Sequence, residues 1–154
     1  MRLRNCMLTT GVALLVQAFP LTVNAAAAQQ CSSKTTIGRY LVVCDGFLSP
    51  APNSALVPAK QLATATADES GTFKSTDGIL SLGGLILHSS VIGTEILKPD
   101  CTGNITYAQS INGQDAGSIH LSFVVSNNGN AIDGFSTDPG AVFSCHLTRI
   151  GAEE

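Results

Sequence analysis

The fold that this sequence predicts is an all-β antiparallel up-and-down β-barrel, with a β-sandwich as the alternative. Three observations predict it. Segments of alternating apolar and polar residues recur along the chain, which is the period of strands with one buried face. Asn-Gly and Asp-Gly pairs punctuate them at spacings of roughly ten residues, and such pairs supply the positive φ angles of tight hairpin turns. No strong amphipathic helix intervenes, so βαβ units are not expected. Consecutive hairpins favour a meander, and a meander closes into an up-and-down barrel.

The elements follow in order. Gly38–Asp45, GRYLVVCD, is β-branched and aromatic and reads as the first strand. The next segment, SPAPNSALVPAK over Ser49–Lys60, carries Pro50, Pro52 and Pro58 and reads as an extended surface crossing. Leu62–Ala67, LATATA, alternates strictly. Its small residues would leave room if they faced a lumen. Asp68-Glu69-Ser70-Gly71 and Asp77-Gly78 read as turns. Ile79–Ile92, ILSLGGLILHSSVI, is too apolar for a surface loop, and its glycine pair argues against a helix. It reads as two strands joined or bent at Gly83-Gly84 and followed by Gly93–Leu97. Thr102–Gln109 reads as a strand with Ile105 and Tyr107 packing inward, and Asn112-Gly113 as the turn after it. Gly117–Ser126 places Ile119, Leu121, Phe123 and Val125 on one face. Asn128-Gly129, the strand Ala131–Thr137, the turn Asp138-Pro139-Gly140 and the strand Ala141–Ile150 complete the series.

The first residues read differently. MRLRNCM is basic, LTTGVALLVQAFPLTV is apolar, and NAAAAQQ is small, the three parts of a secretory signal peptide. The apolar run is shorter than the roughly 20 residues of a membrane-spanning helix, and Pro20 interrupts it. Residues 1–28 are therefore expected to be cleaved, leaving a single domain over 29–154 that is secreted or periplasmic, with no stable membrane insertion. That domain has six basic and eleven acidic residues, a net charge of −5. The charges are scattered, with no basic run to follow a phosphate backbone, so nucleic acid is not an expected partner.

Cys31, Cys44, Cys101 and Cys145 remain after the leader, an even number in an oxidising compartment, and predict two disulfides. Four cysteines allow three pairings. The favoured one is Cys31–Cys44, tying the mature N-terminus to the first strand, with Cys101–Cys145 tying DCTG to the last strand. No closely spaced cysteine pair suggests zinc.

Few motifs in the chain carry recognisable chemistry. In DCTGNITY, Asp100–Tyr107, the Asn104-Ile105-Thr106 sequon sits inside a strand rather than at a loop tip. The stretch reads as the stapled start of that strand. His88, His120 and His146 share no metal spacing, and the phase of their strands turns His120 and His146 to solvent. NNGNAIDG lacks the Asp and Gly positions of an EF-hand loop and reads as a turn. There is no nucleophile elbow and no phosphate loop after a strand. Glu95, Asp45 and Asp133 are the acids placed in or beside strands that could serve in a lumen. No metal and no cofactor are expected.

GRYLVVCDG at the start, DCTGNITY in the middle and GAVFSCHLTRI at the end give Gly38–Ile150 a pattern that resembles small secreted bacterial β-barrels of the lipocalin-like, or calycin-like, type. Where true lipocalins carry Gly-x-Trp, this chain has Gly38-Arg39-Tyr40. The resemblance implies a barrel whose lumen holds a small apolar ligand, with Tyr40, Tyr107, Phe123 and Phe143 as the lumen candidates. Barrels resembling allene oxide cyclases imply a second function, a cyclase or isomerase working in an apolar lumen with few catalytic groups. A third is a structural or interaction protein of the cell envelope with a filled core and no ligand.

Overall fold

The computed structural model describes residues 30–51 and 53–151. The expected leader, residues 1–28, lies outside the described residues. Eight strands run in order: β1 (Gly38–Leu48), β2 (Val57–Ala67), β3 (Thr72–Leu82), β4 (Leu85–Leu97), β5 (Thr102–Ile111), β6 (Gln114–Ser126), β7 (Ala131–Ser136) and β8 (Ala141–Gly151). Each pairs antiparallel with its neighbours in sequence, and β8 returns to pair with β1. The sheet is thus a closed up-and-down barrel, and closure leaves no free edge.

Alternation does the sorting. β1 buries Tyr40, Val42 and Cys44 while Leu41, Val43 and Asp45 face out. β8 buries Phe143, Cys145 and Leu147 and turns Ser144, His146 and Thr148 outward. The alanines of LATATA do face inward. Ala65 lies opposite Tyr40 in the register and Ala67 opposite Phe73, and Ala63 lines a small inner chamber.

The structure differs from three of the sequence expectations. The disulfides join Cys31 to Cys101 and Cys44 to Cys145, not Cys31 to Cys44 and Cys101 to Cys145. Barrel closure explains the second pair: β1 meets β8 with Cys44 directly opposite Cys145, their Cα atoms 4.0 Å apart. Cys31 instead lies along the β4–β5 turn, where its amide donates to the Pro99 carbonyl at 3.1 Å. Asp77-Gly78 is not a turn but part of β3, where the register slips between Ser75 and Gly78. Gly78 is needed for close approach: a Cβ there would come within 2.4 Å of the Ser89 hydroxyl on β4. The crossing after β1 ends earlier than expected, because Val57–Lys60 already belongs to β2. Pro58 is tolerated as the second residue of that strand, near its end.

Other turns follow their residues. Gly83-Gly84 makes the β3–β4 hairpin, and Asn112-Gly113, both at positive φ, makes β5–β6. In DCTGNITY the Asp100 carboxylate accepts from the Thr102 amide at 3.0 Å and hydroxyl at 2.7 Å. Those two hydrogen bonds hold its carboxyl below the usual range. Cys101 turns through positive φ and begins β5 from its staple to Cys31.

Candidate functional site: an open barrel mouth above a sealed base

The strand-to-strand connections divide between two ends. The β2–β3, β4–β5 and β6–β7 turns lie at the end where β1 begins and β8 finishes. The β1–β2 loop and the β3–β4, β5–β6 and β7–β8 turns lie at the other.

The first end is sealed. The 3-10 turn Ser33–Thr35 crosses it, stapled by Cys31–Cys101. Tyr40 is completely buried beneath it and donates its hydroxyl proton to the Gly129 carbonyl at 2.9 Å. Arg149 of β8 lies over the Tyr40 ring, 5.5 Å from its centre, an arrangement that favours the cation. Its guanidinium donates to the Tyr40 oxygen at 2.9 Å and to the Thr35 carbonyl at 2.6 Å. Gly129 has φ +83, and a Cβ there would stand 1.9 Å from the Thr35 carbonyl oxygen. Burial pushes the Tyr40 hydroxyl pKa up, with Arg149 opposing it. Thr36, also fully buried, donates to the Glu95 carboxylate. Burial raises the Glu95 carboxyl pKa, with the Thr36 hydrogen bond lowering it and the nearby Asp68 charge adding to the rise.

The second end is open. A cavity of about 860 Å³ sits there, with walls from Leu48, Leu80, Leu82, Ile111, Ile119 and Phe143. The β1–β2 loop and the β7–β8 turn border it, joined by the Ser49 amide and the Gly140 carbonyl at 3.3 Å. Asp138 anchors that turn to β6. Its carboxylate accepts from the His120 amide at 2.7 Å and lies 2.7 Å from the His120 ring Nδ1. Among the described residues Asp138 is the only ionisable one that lines the cavity.

Between mouth and base lies a belt of buried polar side chains on one side of the barrel. Gln61, Ser75, Ser89 and Gln109 come from β2, β3, β4 and β5 in turn, each less than a tenth exposed. The Gln61 amide donates to the Ser89 hydroxyl at 3.1 Å. Ser75, Val91 and Gln109 follow one another across β3, β4 and β5 in register. Gln109 also lines the mouth cavity. A second, inner chamber of only about 30 Å³ is lined by Gln61, Ser75 and Tyr107 among apolar neighbours. Burial raises the Tyr107 hydroxyl pKa strongly, with Asp138 adding to the rise.

The four aromatic lumen candidates therefore separate. Phe143 lines the mouth. Tyr107 lines the inner chamber. Tyr40 belongs to the sealed base, and Phe123 to the core, where it lies opposite Gly103 and Gly134. The candidate acids do not meet the cavity: Glu95 sits at the base, and Asp45 and Asp133 face outward. His146 and His120 are exposed, each beside an aspartate, Asp133 at 2.6 Å and Asp138 at 2.7 Å. Among the described residues no group of three or more His, Cys, Asp or Glu is gathered as metal ligands. Nor is any helix among them long and apolar enough to cross a membrane.

The aliphatic walls and Gln109 were absent from the sequence candidates. Gln109 had a usable signal, since it shares the inward phase of Ile105 and Tyr107. No family model, curated protein or solved structure matches the chain. The class is defined by the fold: a closed, eight-stranded antiparallel barrel, sealed at one end and open at the other.

Proposed function

We propose that this protein is a secreted or periplasmic lipocalin-like binding barrel, which takes a small, largely apolar ligand into its open end. The observation that carries the reading is the 860 Å³ cavity with aliphatic and aromatic walls, set against a base closed by side chains and a disulfide. Pockets of about 300–1,000 Å³ are the size class of small-molecule sites. The leader-like residues 1–28 and the two disulfides support export. The mechanism is burial: a ligand that leaves water for the walls gains about 25 cal/mol per Å² of apolar surface, less the cost of its lost freedom.

The test has two parts. Native mass spectrometry of the protein purified from its own secretion route should show an added mass that disappears on denaturation. Purified protein should also bind the neutral probe N-phenyl-1-naphthylamine saturably, with a rise in its fluorescence. Absence of both would overturn the reading. It would move the assignment to an envelope interaction protein, for which the exposed row Val43, Leu62 and Ile79 across β1, β2 and β3 is one available apolar surface.

A further inference from the structure

The polar belt beneath the mouth bears on what the ligand is, and the inference rests on the binding reading above. We infer that the cavity selects a neutral amphiphile, whose uncharged hydrogen-bonding end descends to Gln109 while its apolar body stays against the aliphatic walls.

Three observations carry it. The first is the belt itself. Of the five buried polar residues among those described, Thr36 belongs to the base, and the other four stand together on β2–β5 below the cavity. A barrel that only packed its core would gain as much from apolar residues of the same shape, because a buried polar group costs free energy unless it is hydrogen-bonded. The belt is not self-satisfied. Gln61 and Ser89 bond to each other, but the Ser75 hydroxyl is buried with no partner among the described residues. The inner chamber beside Ser75 has room for a water molecule and not for a ligand group. The part of the belt that a ligand can reach is therefore Gln109, which lines the mouth cavity though only 5% exposed. A primary amide both donates and accepts, so it suits a hydroxyl or an amide.

The second observation is charge. Among the described residues no lysine, arginine or histidine lines the cavity, and Asp138 does. A carboxylate or phosphate brought to this floor would lose its water without gaining a cation. The third is orientation. The register sets Leu80, Leu82 and Ile111 on the mouth side of Gln109, so the apolar part of a ligand lies above its polar end.

The experiment measures displacement of N-phenyl-1-naphthylamine at pH 8 by octan-1-ol, octanoate and 1-chlorooctane, which share a chain length and differ at one end. Octan-1-ol should compete at least about tenfold better than octanoate. Gln109→Leu should weaken octan-1-ol by about 3- to 10-fold, the range of one neutral hydrogen bond, and leave 1-chlorooctane unchanged. Gln109→Lys should reverse the preference, so that octanoate becomes the better competitor. This gain cannot come from misfolding, and circular dichroism checks the fold of both variants. Octanoate competing as well as octan-1-ol in the wild type would overturn the inference while the binding reading stands. So would Gln109→Leu weakening all three competitors equally, since that is the mark of a structural role. If the probe itself does not bind, the binding reading fails and this inference fails with it.

Discussion

The two ends of this barrel are built from the same kinds of hairpin, yet they do opposite things. At the base, side chains and backbone from several elements converge: Thr35 and Thr36 from the entering chain, Tyr40 from β1, Gly129 from the β6–β7 turn, and Arg149 from β8. At the mouth, the β7–β8 turn is tied sideways, to β6 through Asp138 and His120 and to the β1–β2 loop through Gly140 and Ser49. The space inside them stays open. Backbone topology alone therefore does not decide where a barrel holds a cavity. The decision lies with which turn carries a residue small enough for the chain to lie across it, and which strand end carries a long side chain able to span the base.

That contrast can be broken, beginning with the largest expected effect. Gly129→Ala places a methyl group against the Thr35 carbonyl at positive φ. It should cost about 3 kcal/mol or more, read as a fall in the denaturant midpoint. Tyr40→Phe keeps the ring but removes the hydroxyl that joins Gly129 to Arg149. Denaturation should show a loss of about 1–3 kcal/mol. At the mouth, Ala141→Trp should fill part of the cavity that Ala141 lines. Probe affinity should fall at least about tenfold, equivalent to about 1.4 kcal/mol, with the thermal midpoint little changed. Gly113→Ala is the counterpart of the first variant. Gly113 also has positive φ, but nothing lies within 4 Å of its missing Cβ. Its cost should be the backbone strain alone, about 1 kcal/mol.

The smallest effect sharpens the electrostatics of the base. Burial raises the Glu95 pKa in the folded state, so the folded protein holds that proton more tightly than the unfolded chain does. Stability should then fall as pH rises from the unfolded carboxyl value, about 4.3, through the raised folded value, and stay lower above it. Glu95→Gln should flatten that part of the pH profile and stabilise the protein at pH 7 by less than about 1 kcal/mol. A variant that is less stable than wild type at pH 7 would contradict the sign.

The fold was legible because alternation is local. The inward phases of β1, β6 and β8 can be read directly from GRYLVVCD, GSIHLSFVVS and AVFSCHLTRI. The glycine pair in ILSLGGLILHSS likewise marks a hairpin that a propensity average would blur. What escaped was everything that depends on closure. Cys44 meets Cys145 only because β8 returns to β1, 101 residues later. Gly78 reads as a turn residue, since Asp-Gly normally is one, until β4 brings Ser89 against it. The aromatic residues drew attention as lumen candidates. Of the four, Phe143 lines the mouth cavity, and the rest of its large apolar wall is leucine and isoleucine. Gln109 was overlooked because a glutamine at the end of a strand looks solvated until the neighbouring strands bury it.

The most direct test of the two-ended account is a titration of isotope-labelled protein with N-phenyl-1-naphthylamine, followed by backbone and methyl chemical shifts. Shifts should concentrate on Leu80, Leu82, Gln109, Ile111 and Ile119 and saturate with the fluorescence, while Thr36, Tyr40, Gly129 and Arg149 stay unmoved. Saturable shifts centred on the base, or spread over the outer face with the mouth silent, would contradict it.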